Sequence, residues 1–106
     1  MQHDFVLALV TTASKKEAEE IAQTLLDKKL VACANIVGPV SSLFNWSGKR
    51  EEVEEYLILL KSHRNLTGKL AETVKALHSY EVPEIIVLPI VGGSESYLNW
   101  LASCLI

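Results

Sequence analysis

The chain has 106 residues, 49% apolar and 22% charged, which suits one globular domain over 1–106 and leaves little room for a second. A net charge of −3, with basic residues scattered as the pairs Lys15–Lys16, Lys28–Lys29 and Lys49–Arg50, provides no cationic stripe and argues against nucleic acid as a partner. The opening "MQHDFVLALV" lacks the pattern of a secretory signal and no run approaches the ~20 residues that cross a bilayer, so the expected compartment is the cytoplasm, without membrane insertion.

"DFVLALVT" (4–11) has the length and the Val, Leu and Phe content of a strand. Ser14-Lys15-Lys16-Glu17 matches the S-x-x-E capping box that opens a helix. Ala18, Ile21, Ala22, Leu25 and Leu26 then repeat at the spacing of one buried helix face. "VACANIV" (31–37) predicts a second strand. Gly38-Pro39 kinks it, because proline offers no N–H to a ladder, and "VSSLFNW" (40–46) extends the chain beyond the kink. Ser47-Gly48 fits a two-residue hairpin turn, with "VEEYLILLK" (53–61) as the return strand. A second helix is expected from about Asn65 to His78, with Leu66, Leu70, Val74 and Leu77 on one face. "EIIVLPI" (84–90) predicts a fourth strand, and after Gly92-Gly93 a helix capped by Ser94 buries Tyr97, Leu98, Leu101 and Leu105.

The order strand, helix, strand, strand, helix, strand, plus a C-terminal helix, is the α+β split βαβ pattern of a ferredoxin-like fold with an antiparallel sheet. A sheet covered by helices on one side should alternate apolar and polar residues. "FVLALV", "LILL" and "IIVL" are apolar at consecutive positions instead, which calls for burial of both faces. Because a 106-residue chain has too little left to cover the second face, an obligate homo-oligomer is expected, its sheets packed face to face.

Several clusters invite functional readings. In "HSYEVPE", His78, Glu81 and Glu84 offer an imidazole and two carboxylates suited to zinc or another divalent ion. The same residues also suit a purely structural corner in which His78 closes the second helix, Tyr80 packs at a rim and Glu81 faces solvent. "KSHRN" gathers Lys61, His63 and Arg64 where a strand meets a helix, a place that favours small anions. Glu51, Glu52, Glu54 and Glu55 read as a solvated hairpin, and Trp46 as an interface anchor. Cys33 and Cys104 sit in apolar surroundings and are expected as small core residues. Met1-Gln2-His3 sets an amine, two amides and an imidazole in the order that wraps square-planar Cu(II). The chain has no G-x-S-x-G, H-E-x-x-H, phosphate-binding loop or dinucleotide fingerprint, and no enzymatic activity is expected.

A-C-A-N-I at 32–36, W-x-G-K at 46–49, L-K-S at 60–62, H-x-Y-E-V-P-E at 78–84 and Y-L-x-W-L at 97–101 occur together, and from Leu7 to Leu101 the chain resembles the CutA1 divalent-cation-tolerance proteins. The resemblance implies a ferredoxin-like homotrimer similar to PII-type signalling trimers, and a link to copper and other divalent cations, without an organic cofactor. It also implies a polar cluster near the subunit interface at Cys33, Trp46, Lys61, His78, Tyr80 and Glu84. Val10 and Leu77 stand where some copper-linked members carry a cysteine and a second histidine, so two good copper ligands are missing here. The function expected is therefore divalent-cation tolerance, copper first, with His78, Glu81 and His3 as candidate ligands. The alternative is a sensing or scaffolding trimer that holds a small charged metabolite with Lys61, Tyr80 and Glu84.

Overall fold

A computed structural model describes residues 4–106. Among these, β1 (Phe5–Thr12), α1 (Lys15–Asp27), β2 (Cys33–Trp46), β3 (Lys49–His63), α2 (Thr67–Leu77), β4 (Ile85–Pro89) and α3 (Glu95–Ser103) follow in chain order, with a 3-10 turn at Arg64–Leu66. The sheet order is β2-β3-β1-β4, and every neighbouring pair is antiparallel. β3 lies between β1 and β2, so each βαβ unit is split by a strand from the other, as the element order predicts.

Local chemistry sets the boundaries. Ser14 caps α1, its side chain accepting from the Glu17 N–H at 3.1 Å. The helix ends in a paired C-terminal motif: Leu30 N–H donates to Leu25 O and Lys29 N–H to Leu26 O, each at 3.0 Å, with Lys29 at φ 57°. Ser47 (φ 53°) and Gly48 (φ 79°) form the tight turn between Trp46 and Lys49. Pairing starts immediately after that turn, so β3 begins at Lys49 rather than Val53 and takes in the whole glutamate run. At Gly38-Pro39, a cis peptide, β2 shifts register between Val37 and Val40. A side chain at Gly38 would run into the Tyr56 ring, which is why the kink carries glycine. The second helix starts later than expected: Arg64–Leu66 form the 3-10 turn, and His63 Nδ1 caps it by accepting from Asn65 N–H at 3.1 Å.

Ala8 and Val10 of β1, Ile58 and Leu60 of β3, Ala18, Ile21 and Leu25 of α1, and Leu70 and Val74 of α2 form one core, placing both helices on one sheet face. Burial therefore alternates along β1 and along the end of β3. The opposite face is apolar too. Leu7, Leu9, Leu57 and Leu59 are half-buried there, and Val37, Ile86 and Leu88 are exposed by 45%, 48% and 43%. Within one chain α3 covers only one end of this face, where Leu101 meets Phe5 and Ala32. Among the described residues no helix is long and apolar enough to cross a membrane.

Candidate functional site

The polar residues fall into two groups. The first surrounds the corner between α2 and β4. His78 is the C-cap of α2, and its side chain is fully buried. Its Nε2 lies 2.7 Å from Thr11 O, while Nδ1 accepts the Tyr80 N–H at 3.0 Å. These contacts fit the ring form with hydrogen on Nε2, and they leave neither nitrogen turned outward for a metal. Glu17 completes the corner from α1: Oε2 accepts from Ser79 N–H at 2.6 Å and Oε1 from Ala13 N–H at 3.2 Å. The capping carboxylate thus clamps two elements instead of returning to its own N-cap amide. Burial works against its charge, but the hydrogen bonds from Ser79 and Ala13 hold its pKa below the ordinary 4.5.

Tyr80 continues the network across the end of the sheet. Its hydroxyl donates to Glu55 Oε2 at 2.6 Å, and Glu55 is only 6% exposed. Burial first, and then this carboxylate, push the Tyr80 pKa far above the usual phenol value. Glu55 therefore departs from the solvated-hairpin expectation for the acidic run.

The second group lies at the other end of β3, on the open face beside α3. Cys33 and Lys61 are register partners, and Lys61 Nζ is 4.0 Å from Cys33 Sγ. Nζ also donates to Tyr97 Oη at 3.4 Å and sits 5.5 Å from the centre of its ring. Cys33 Sγ donates to Asn35 Oδ1 at 3.6 Å. This cysteine is a half-buried member of a polar cluster rather than an inert core residue. Cys104 matches its expectation better, packed beside the Phe5, Ala32 and Leu101 cluster.

Other expected groupings separate. Lys61 turns to the Cys33 cluster, His63 caps the 3-10 turn, and Arg64 lies 3.9 Å from Asp4, so the three cations of "KSHRN" do not converge on an anion site. Tyr80, through Glu55, lies six positions along β3 from Lys61, a span of about 20 Å. Glu81 and Glu84 are exposed, and Trp46 stands 56% exposed at the hairpin tip. A single chain does not collect Cys33, Trp46, Lys61, Tyr80 and Glu84 into one pocket. Among the described residues no three His, Cys, Asp or Glu side chains are grouped to hold a metal ion, and His3 lies outside those residues. Glu17, Glu55 and Tyr97 are the contributors that sequence reasoning missed. The S-x-x-E signal pointed to Glu17 but named a different partner.

The family model described as CutA1 divalent ion tolerance protein matches residues 6–104. The divalent-cation tolerance protein CutA of Thermus thermophilus is 44% identical over 95 residues, covering 90% of this chain and 92% of that protein. The chloroplastic protein CutA of Arabidopsis thaliana is 40% identical over 96 residues, covering 91% of this chain but 53% of that protein. The chain spans 52–62% of the length of the Arabidopsis protein and of its mouse, human, bovine and Xenopus laevis relatives. The crystal structure of CutA1 from Oryza sativa superposes with a TM-score of 0.95 at 38% identity, covering 98% of this chain and 95% of that one.

Proposed function

The chain belongs to the CutA1 divalent ion tolerance family, and from that premise we propose that it acts as a non-catalytic homotrimer that interacts with divalent cations, copper first, in the cytoplasm. The observation that carries the assembly is the apolar sheet face away from α1 and α2, with Val37, Ile86 and Leu88 each about half exposed. Covering such side chains is worth roughly 1 kcal/mol apiece, half the value of full burial, and three copies repeat the gain. The three-fold arrangement is the one that the family resemblance implies.

The cation interaction is supported by the names of the relatives, which describe divalent-cation tolerance. The buried corner gives it little within one chain, since both His78 nitrogens are engaged. Cu(II) is therefore assigned to Met1-Gln2-His3 where the Met1 amine is free, with exposed carboxylates such as Glu81 and Glu84 as weaker contacts.

Two measurements test the two halves. Light scattering on the purified chain gives three times the subunit mass, and Ile86→Asp, which buries a charge in the face, lowers it; a monomeric wild type refutes the assembly. Calorimetric Cu(II) titration of tag-free protein against a weak competing chelator gives saturable binding that N-terminal acetylation abolishes and His78→Gln leaves in place. Binding indifferent to acetylation overturns the amino-terminal assignment.

A further inference from the structure

The His78 side chain is fully buried at the end of α2 with both ring nitrogens engaged, yet a carboxylate lies within reach of one of them. We propose that this corner is a proton-operated latch: protonation of His78 at Nδ1 exchanges its hydrogen bond with the Tyr80 N–H for an ion pair with Glu17, and so loosens the linker 79–84 that leads into β4. In the neutral ring, Nε2–H donates to Thr11 O at 2.7 Å and Nδ1 accepts from Tyr80 N–H at 3.0 Å. A proton taken from water onto Nδ1 turns that acceptor into a donor, so that it faces the Tyr80 N–H donor to donor. The Thr11 bond is common to both states and keeps the ring in place.

The corner provides for the charged ring as well as for the neutral one. Glu17 Oε2 is 3.6 Å from Nδ1, and a closure of about 0.8 Å brings it to the usual charge-assisted distance of about 2.8 Å. His78 is also the C-cap of α2, an end of a helix that favours a cation. Among the other charged groups on the packed elements, Lys15 and Lys16 of α1 and Lys75 of α2 are exposed. β3 contributes Glu55, which is engaged by the Tyr80 hydroxyl at 2.6 Å, and β1 contributes the Thr11 carbonyl. The start of the linker is tied by Ser79 N–H to Glu17, by Tyr80 N–H to His78 and by the Tyr80 hydroxyl to Glu55. Residues 79–84 have no helix or strand of their own to hold them. Protonation removes the middle tie and makes Ser79 N–H share Glu17 Oε2 with the ring. The Tyr80 backbone is freed while its hydroxyl stays on Glu55, so the release is confined to the entry of β4.

The test follows the nitrogen-15-labelled full-length protein by NMR from about pH 8 to about pH 5, the range in which imidazoles titrate. Long-range proton–nitrogen spectra read the His78 ring, and hydrogen exchange, corrected for its intrinsic pH dependence, reads the Tyr80 amide. The ring should pass from hydrogen on Nε2 alone to hydrogen on both nitrogens. Over the same interval Tyr80 amide protection should fall on the order of 10-fold, the worth of one hydrogen bond. The Ile58 and Leu60 amides of β3 should keep their protection, which separates local release from global unfolding. In Glu17→Gln, which removes the charge that receives the proton, both changes should move together to lower pH. In His78→Gln the Tyr80 amide should show no acid step. A ring that stays neutral down to about pH 5, or Tyr80 protection unchanged once the ring is charged, overturns the proposal on the wild type alone. A transition at the same pH in Glu17→Gln overturns it as well.

Discussion

Replacing Glu17 by glutamine tests whether one carboxylate joins α1 to the α2–β4 corner. The wild-type carboxylate accepts two backbone N–H groups, Ser79 at 2.6 Å and Ala13 at 3.2 Å. Hydrogen bonds to a charged acceptor contribute about 1.5–3 kcal/mol each. Glutamine keeps one acceptor and turns an amide donor toward the other N–H, so Glu17→Gln should cost about 2 kcal/mol at pH 7. The sign of the pH dependence follows from the lowered pKa. The folded chain binds this proton less readily than the unfolded chain, so the carboxylate's contribution is fully present above the unfolded value of 4.5. It is lost as pH falls below 4.5 and through the lower folded value. Urea unfolding of both proteins at one fixed protein concentration, from neutral pH into the acid range, measures the difference. The gap should be flat at neutral pH and close progressively below 4.5. A gap of the same size throughout would mean that the charge is irrelevant and that only side-chain shape matters at position 17.

Tyr80→Phe leaves the buried Glu55 carboxylate without its phenol donor and should cost about 1–3 kcal/mol in urea unfolding. A double-mutant cycle with Glu55→Gln should return a coupling of about 1 kcal/mol, and strict additivity would show that the two side chains do not interact. Lys29→Gly relieves a non-glycine residue at φ 57° in the C-terminal motif of α1 and should raise stability by about 0.5–1 kcal/mol, after the greater chain entropy of glycine is deducted. An unchanged or lower thermal midpoint would refute that account.

Much of the fold was written in short-range signals. The Ser14 cap, the Ser47-Gly48 turn and the spacing of Ala18, Ile21, Ala22 and Leu25 act within a few residues, and each appears in place. Leu26 and Leu77, at the margins of their helix faces, are exposed because an apolar stripe is wider in sequence than the strip the sheet can cover. The double-sided apolar character of β1, β3 and β4 was equally legible, and one chain buries only the helix side. The sites were harder to read. Glu55 looked like its neighbours Glu51, Glu52 and Glu54, and only the path of the α2–β4 corner over the sheet end sets it against Tyr80. No sequence spacing encodes that contact. Tyr97 likewise meets Lys61 because α3 folds back onto the open face, a placement fixed by Leu101 against Phe5.

The two ends of the open face therefore differ in kind. At the corner, bonds from His78 to Thr11, from Ser79 to Glu17 and from Tyr80 to Glu55 tie the start of the H-x-Y-E-V-P-E motif to β1, α1 and β3, which gives His78 and Tyr80 a structural role. At the other end, Lys61 meets Cys33 and Tyr97 through longer contacts of 3.4–4.0 Å. Trp46 lies about 40 Å along β2 from Cys33 and cannot reach that end of its own sheet. If the W-x-G-K and A-C-A-N-I motifs act together, the tryptophan must come from another copy. Assembly is then a condition for a shared site as well as a means of covering the apolar face.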